Sequence, residues 1–116
     1  MLNFEKKGFV SLWAFLEEPA SDIDLMRELC GVDNYDLDDQ EGIFSEGCKL
    51  TPLLQLISQS SYADSFIDEA ERAAKGLGIA EARGVMAQYD FAYDPRKITR
   101  KVAPDPIFLG SFSWHE

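Results

Sequence analysis

The segment that most constrains the fold is Gly8–Leu16 (GFVSLWAFL), because it indicates a strand that is apolar on both faces. The two alternating sets of apolar side chains are Val10, Leu12 and Ala14, and Phe9, Trp13 and Phe15. A strand with two apolar faces has to be covered on both sides, and such strands are usually central in their sheet. The segment therefore predicts a central strand.

Three segments carry apolar side chains at helical spacing behind capping residues. They are a short helix from about Asp22 to Cys30 with Ser21 as N-cap, a second from Thr51–Pro52 to about Gln59, and a longer helix over residues 62–77. The third is the clearest, since one face is apolar and the other is charged, and Gly76 and Gly78 are expected to end the helix. The sequence predicts two to three helices.

Three further segments have strand patterns and are separated by turns rather than helices. They are the alternating segment Gly84–Tyr93, a basic edge strand at Arg96–Val102, and a last strand at Ile107–Trp114. Short connections favour antiparallel pairing. We therefore expect one α+β domain over residues 1–116, with a mostly antiparallel sheet of about four strands and the helices packed on one face.

The charge of the chain is concentrated in residues 17–46. This segment holds 11 of the 21 acidic residues and only one of the 11 basic residues, so it accounts for the whole net charge of −10. Within it, residues 32–47 have neither a helical nor a strand period. Their Asp, Asn and Gly residues favour turns. We expect an ordered surface loop with one or two extended pieces, attached to the core by Tyr35, Leu37, Ile43 and Phe44.

The strong negative charge argues against binding to nucleic acid or to an anionic membrane surface, since phosphate contacts need clustered Lys and Arg. The chain has no apolar run of about 20 residues that would suit a membrane span. Its N-terminus shows no secretory signal pattern. We therefore expect a cytoplasmic protein whose two cysteines, Cys30 and Cys48, are reduced thiols.

The acidic loop does not match a known metal or catalytic pattern. An EF-hand needs Gly at position six and Glu at position twelve, but a loop that begins at Asp36 has Glu41 and Gly47 there. The only histidine, His115, is next to the end of the sequence, and neither cysteine is in a C-x-x-C motif. We predict no catalytic residue, metal ligand or cofactor, although an irregular divalent-cation site stays open.

Four short stretches together resemble the Immunity protein 22 family of bacterial polymorphic toxin systems. They are Val10–Trp13 (VSLW), Cys30–Asp36 (CGVDNYD), Tyr89–Pro95 (YDFAYDP) and Phe108–Phe112 (FLGSF), and they span nearly the whole chain. The resemblance implies a small cytosolic protein that binds and blocks a cognate toxin domain, often a nuclease. It carries over no catalytic residue and no binding residue.

The predicted contact residues come from charge alone, because a nuclease domain is basic where it holds phosphate. They are Asp33, Tyr35, Asp36, Asp38, Asp39 and Glu41. The partner implied is a cognate basic toxin domain, which complementary charge would attract and orient. Two alternatives stay open: a small divalent-metal-binding protein or enzyme that uses the acidic loop, and a weak homodimer that pairs through an edge strand.

Overall fold

A four-stranded antiparallel sheet forms the centre of the fold. The structure, a computed structural model, describes residues 3–20 and 23–115. Its strands and helices, in chain order, are β1 (Glu5–Phe15), β2 (Gln40–Phe44), β3 (Thr51–Pro52), α1 (Leu53–Ile57), α2 (Ile67–Leu77), β4 (Glu81–Ala82), β5 (Gly84–Phe91) and β6 (Ile107–Ser113). The sheet order is β2–β5–β1–β6, and β3 and β4 form a separate two-stranded ribbon. The predicted α+β class is confirmed.

The prediction of a central first strand is also confirmed. β1 pairs antiparallel with β5 on one side and with β6 on the other. Its inner residues are almost fully buried, including Val10, Leu12, Trp13 and Phe15. Two apolar faces on one strand required cover on both sides of the sheet, and the chain provides it on both.

The two faces of the sheet are covered by different elements. On the first face, Val10, Leu12 and Ala14 pack against α1 and α2. On the second face, Trp13 and Phe15 pack against the segment that follows β1, which contributes Met26, Cys30 and Val32. Both α-helices thus lie on one face, while a short π-helical turn at Leu25–Leu29 covers the other.

The segment predicted as a helix from Asp22 to Cys30 is therefore only this π-helical turn. Asp24 caps it, because its side chain accepts a hydrogen bond from the Arg27 amide at 3.0 Å. The predicted cap Ser21 and the first predicted helical residue, Asp22, lie outside the described residues. The other helices are shorter than predicted, since α1 ends at Ile57 and α2 begins at Ile67 after a 3₁₀ turn at Ala63–Ser65.

The fourth strand of the sheet is not the segment that the sequence predicts. Arg96–Val102 forms no strand; a 3₁₀ turn at Pro95–Lys97 is capped by Asp94, which accepts a hydrogen bond from the Arg96 amide at 3.0 Å. The place of a fourth strand is taken by β2, which lies inside the acidic loop and pairs with β5. The loop thus contains the extended piece that we expected, at the edge of the sheet.

A backbone irregularity at Asp90 changes which way the end of β5 faces. Simple alternation puts Phe91 and Tyr93 on the same face as Tyr89, but both pack on the second face. Asp90 has φ +55°, and the β1–β5 register shifts next to it. The Asp90 carboxylate accepts a hydrogen bond from the Gly8 amide at 2.9 Å. This bulge turns the chain so that Phe91 and Tyr93 join the second core.

Over the described part of the chain, no helix has the length and apolar character needed to cross a membrane.

Candidate partner-binding surface

The structure divides several carboxylates of the acidic segment into those bonded to other segments of the protein and those that, among the described residues, are not. The first group contains Asp24, Asp33 and Glu41, and the second contains Asp36, Asp38 and Asp39. The distinction matters for binding, because a carboxylate already paired inside the molecule has less negative potential to offer a partner protein.

Asp33 is held between two arginines. Its Oδ1 lies 3.2 Å from Arg27 Nε and 3.0 Å from Arg100 Nη2. Arg100 also donates a hydrogen bond to the Arg27 carbonyl at 2.8 Å, so the three residues form one network. Arg100 comes from the basic segment near the C-terminus. Asp33 thus joins that segment to the π-helical turn, and its charge is largely balanced.

Tyr35 is tied to Asp24. Its hydroxyl donates a hydrogen bond to Asp24 Oδ1 at 2.6 Å, and its ring packs at the margin of the second core. Burial and the neighbouring carboxylate raise the pKa of Tyr35 to about 12. Burial opposes ionisation of Asp24, but the hydrogen bonds from Tyr35 and the Arg27 amide outweigh it and hold the Asp24 pKa below its usual value. Tyr35 is thus a half-buried residue whose contacts in this structure are internal.

Glu41 fastens β2 to the connection between α1 and α2. Its carboxylate accepts hydrogen bonds from the Ser61 amide at 2.9 Å and the Ser61 hydroxyl at 3.0 Å. The Tyr89 hydroxyl lies 3.1 Å from the same carboxylate and 2.6 Å from the Ser61 carbonyl. A phenol has one proton to donate, so the Tyr89 hydroxyl donates mainly to the Ser61 carbonyl, which is the closer acceptor.

The carboxylates of the second group belong to a 3₁₀ turn over Leu37–Asp39 and to its N-cap, Asp36, just before β2. We call residues 36–39 the acidic turn. Asp36 caps it, because its side chain accepts a hydrogen bond from the Asp38 amide at 3.0 Å. The Asp36 carbonyl accepts a hydrogen bond from Gln88 Nε2 at 2.7 Å. Gln88 is buried in β5, so the acidic turn is anchored to a rigid strand.

Two further acids, Glu5 and Asp90, extend this negative region across β1 and β5. With Asp36 and Asp39 they line a concavity of about 360 Å³, together with Lys6 and Lys7. Over residues 3–20 and 23–115, no ion pair within 4 Å involves any of these acids. We call Glu5, Asp90 and the acidic turn the acidic face.

The titration of Asp39 reports the negative potential of this face. Burial is the leading cause that raises the pKa of Asp39, followed by the charges of Asp36, Asp90, Asp38 and Glu5. Four neighbouring carboxylates therefore act on one side chain. Such a field attracts a cationic group.

Leu37 lies in the middle of the acidic turn and is 66% exposed. The sequence suggested that it attaches the loop to the core, and that prediction is wrong. The other three predicted attachments are confirmed: Tyr35 and Ile43 pack against the cores, and the Phe44 ring lies against Gly84 and 5.2 Å from the Phe15 ring. Gln88 adds a hydrogen bond to the loop backbone. Leu37 is left as an exposed apolar side chain between Asp36 and Asp38 in the turn.

Sequence reasoning missed three residues of this face: Glu5, Leu37 and Asp90. Asp90 was recognised as a polar position in the alternating strand, but its neighbourhood depends on the bulge. Glu5 is distant from the acidic turn along the chain and reaches it only because β1 and β5 pair. Nothing local in the sequence marks either residue as part of the acidic face.

The described residues contain no group of three or more His, Cys, Asp or Glu side chains arranged to hold a metal ion. Cys30 is a buried free thiol, and burial together with the Asp24 charge raises its pKa to about 12. Cys48 is a half-buried free thiol. A thiol with so high a pKa as Cys30 is a poor nucleophile at neutral pH. The arrangement of the acidic face suits non-covalent binding of a cationic surface.

Comparison with known proteins found no matching family model, no similar curated protein and no similar solved structure. The likeness to the Immunity protein 22 family stays a prediction.

Proposed function

We propose that this chain is a cytosolic immunity protein, which binds a cognate basic toxin domain and blocks it. A nuclease domain is the kind of toxin that the charge fits best, since it is basic where it holds phosphate. The single observation that carries the proposal is the acidic face, where five carboxylates form no ion pair among the described residues and the exposed Leu37 lies in the same turn as three of them.

The composition of this face supports a protein partner rather than another ligand. Interfaces between proteins combine an apolar centre with a polar rim. Here Leu37 supplies an exposed apolar group, and the carboxylates around it supply charge that can steer association. With a net charge of −10, nucleic acid and anionic membranes would be repelled.

Charge alone predicted six contact residues, but we assign the main contacts to only some of them. Asp36, Asp38 and Asp39 have exposed or partly exposed side chains without ion pairs in the described chain, so we assign the main contacts to them and to Leu37. Asp33, Tyr35 and Glu41 stay predicted contacts. Their internal partners indicate that Asp33 and Tyr35 chiefly hold their segment to the π-helical turn, and that Glu41 chiefly holds β2 in place.

The test is to co-express the chain with the protein encoded by the adjacent upstream gene, and to measure complex formation and protection from toxicity. The triple variant Asp36→Asn/Asp38→Asn/Asp39→Asn should associate about 10- to 100-fold more slowly at low salt, with a flatter salt dependence. Asparagine preserves the cap at position 36, so folding should be unchanged.

A matched control removes three negative charges elsewhere. Asp64→Asn/Asp68→Asn/Glu69→Gln changes three exposed acids at the start of α2 and the turn before it. It should slow association by less than about threefold, because those charges lie outside the acidic face. Absence of a complex at low salt together with absence of protection would reject the proposal for that partner, and equal slowing by the two triple variants would reject the acidic face as its site.

A further inference from the structure

The outer edge of β2 has backbone hydrogen-bonding groups that no strand among the described residues uses. β2 is the first strand in the sheet order and pairs only with β5. The Ser45 amide donates to the Arg83 carbonyl at 3.0 Å, so Glu41 and Ile43 face β5 with their backbone groups, since such pairs alternate along an antiparallel ladder. The N–H and C=O groups of Gly42 and Phe44 therefore point away from the sheet.

The edge is bordered by a groove that can hold an extended chain. A concavity of about 580 Å³ lies beside the end of β2, between Phe44 and Glu46 on one side and Gln55 and Gln59 on the other. The exposed side chain of Leu50 lies at the same groove. A chain that added to β2 would contact this wall as well as the strand edge.

Negative charge is dense in the segment that contains this edge, although Lys49 lines the groove beside Glu46. Asp36, Asp38, Asp39, Glu41 and Glu46 all lie within 11 positions of sequence, with no basic residue among them. Exposed apolar side chains mark both ends of the segment, at Leu37 and Phe44. The edge thus offers backbone pairing, apolar contacts and a strong preference for positive charge.

The opposite edge of the sheet is built differently. β6 contains no charged residue, and its pairing with β1 is interrupted by a register shift at Leu12–Trp13, opposite Gly110, which has φ +143°. Bulges of this kind discourage a further strand from pairing at an edge. β2 has no such interruption over Gln40–Phe44.

From these observations we propose that the edge of β2 receives an extended, lysine- or arginine-rich segment of the partner protein as a fifth strand. The proposal deepens the proposed function, on which it rests, by naming the mode of binding. A second copy of this chain is the less suitable occupant, because two β2 edges side by side would bring like charges together. Backbone pairing gives such strand addition its affinity, and side-chain charge gives its specificity.

The first test uses Gly42→Pro, with Gly42→Ala as its matched control. A Cβ at Gly42 would lie 3.5 Å from the Phe44 ring, an ordinary contact, so Ala should be accommodated. Proline removes the outward N–H, which β5 does not use. We expect Gly42→Pro to weaken binding of the adjacent-gene protein about tenfold and Gly42→Ala by less than about threefold, with both variants folded by circular dichroism.

The second test needs no change to the chain. An extended peptide of alternating lysine and valine serves as the probe, with its glutamate counterpart and two versions N-methylated on one or the other alternate set of residues. We expect the lysine peptide to bind, the glutamate peptide to fail, and one methylated version to lose binding while the other keeps it. Binding should slow amide hydrogen exchange at Gly42 and Phe44 by about tenfold or more and leave β6 unchanged.

Several outcomes would overturn strand addition. They are equal binding of the lysine and glutamate peptides, equal binding of the two Gly42 variants, unslowed exchange at Gly42 and Phe44 in the bound state, or a dimer of the chain alone that Gly42→Pro abolishes. A toxin complex unaffected by Gly42→Pro would reject the fifth strand but leave the proposed function intact. Slowed exchange at Gly42 and Phe44 in the presence of the peptide, with no complex with the adjacent-gene protein, would support strand addition but count against the proposed function.

Discussion

Two groups of carboxylates from one acidic segment end in opposite electrostatic situations. Asp33 lies between two arginines, and Glu41 accepts hydrogen bonds from Ser61. Asp36 and Asp39, only a few positions away, share a concavity with Glu5 and Asp90 and form no ion pair within 4 Å in the described chain. Sequence proximity therefore says little about whether a charge is available to a partner.

The comparison shows why the acidic segment can be both ordered and strongly charged. The carboxylates with internal partners hold its backbone: Asp24 caps the π-helical turn, and Glu41 fixes β2 to the connection before α2. The acidic turn is held to β5 by the hydrogen bond from Gln88 to the Asp36 carbonyl, and Asp36 caps the turn, so the Asp38 and Asp39 side chains are left for solvent or a partner. The residues that hold the segment in place thus differ from those to which we propose to assign the partner contacts.

The largest expected effect on stability comes from Glu41→Ala. It removes the acceptor of two Ser61 hydrogen bonds and of a close contact to Tyr89, so we expect a loss of about 2 kcal/mol in the free energy of unfolding. Urea unfolding measures it. Glu46→Ala is the matched control and should change stability by less than about 0.5 kcal/mol, because Glu46 is exposed. Equal losses of unfolding free energy in the two variants would show that the internal partners of Glu41 make it no more stabilising than an exposed carboxylate.

A smaller loss, about 1 kcal/mol, is expected for Tyr35→Phe, which removes the hydrogen bond to Asp24. Tyr62→Phe is the control, since its exposed hydroxyl has no protein partner over residues 3–20 and 23–115. The Tyr35→Phe variant should also raise the Asp24 pKa toward its usual value, measured by carboxyl NMR titration. An unchanged Asp24 pKa would contradict the assigned bond.

The contributions of Asp24 and Tyr35 to stability depend on pH in opposite directions. The lowered Asp24 pKa means that its contribution to stability is present above its ordinary value near 3.8 and is lost as the pH falls through the folded-state value. The raised Tyr35 pKa means that the contribution of the phenol is present below its ordinary value near 10 and is lost as the pH rises toward about 12.

The smallest effect is expected in the acidic face itself, where Asp90→Asn should increase stability by a few tenths of a kcal/mol at neutral pH. The raised Asp39 pKa means that the Asp39 carboxyl holds its proton more tightly in the folded state than in the unfolded state. Ionised Asp39 therefore lowers stability, and this loss is relieved as the pH falls. The amide side chain in Asp90→Asn would still accept the Gly8 hydrogen bond, and asparagine tolerates the positive φ at this position.

The measurement is the Asp39 titration, which should move toward its usual pKa in Asp90→Asn without reaching it, because burial is the leading cause of the shift. Asp68→Asn, on the exposed side of α2, should leave the Asp39 titration unchanged. A native Asp39 that titrates at its ordinary value would show that the acidic face is no more negative than the rest of the surface.

Long apolar patterns made much of the fold predictable. β1 and α2 follow from the spacing of their apolar side chains, because burial favours the conformation that places those side chains on a common face. β2, in contrast, depends on strand pairing. β2 has partly exposed residues on both sides and a glycine at its centre, so it has no period of its own; it is a strand because β5 offers an edge and Phe44 packs against Gly84.

The basic segment after β5 shows the converse error. Arg96–Val102 has a strand-like composition, but Asp94 and Pro95 set a 3₁₀ turn at its start, and Ile98 packs against Gly31 and the second core. Local hydrogen bonds to Asp94 from the Arg96 amide and guanidinium compete with strand pairing and outweigh it.

The sequence by itself determined the fold class, the central strand, the long helix and the location of the net charge, since these depend on composition and on short-range periodicity. Only the tertiary structure decided which carboxylates are neutralised, that Leu37 points to solvent, and that Glu5 and Asp90 join the acidic turn. The physical reason is that charge balance depends on distances of a few ångströms between residues far apart in sequence, as between Asp33 and Arg100. Those distances are set by strand pairing and by a backbone bulge at Asp90.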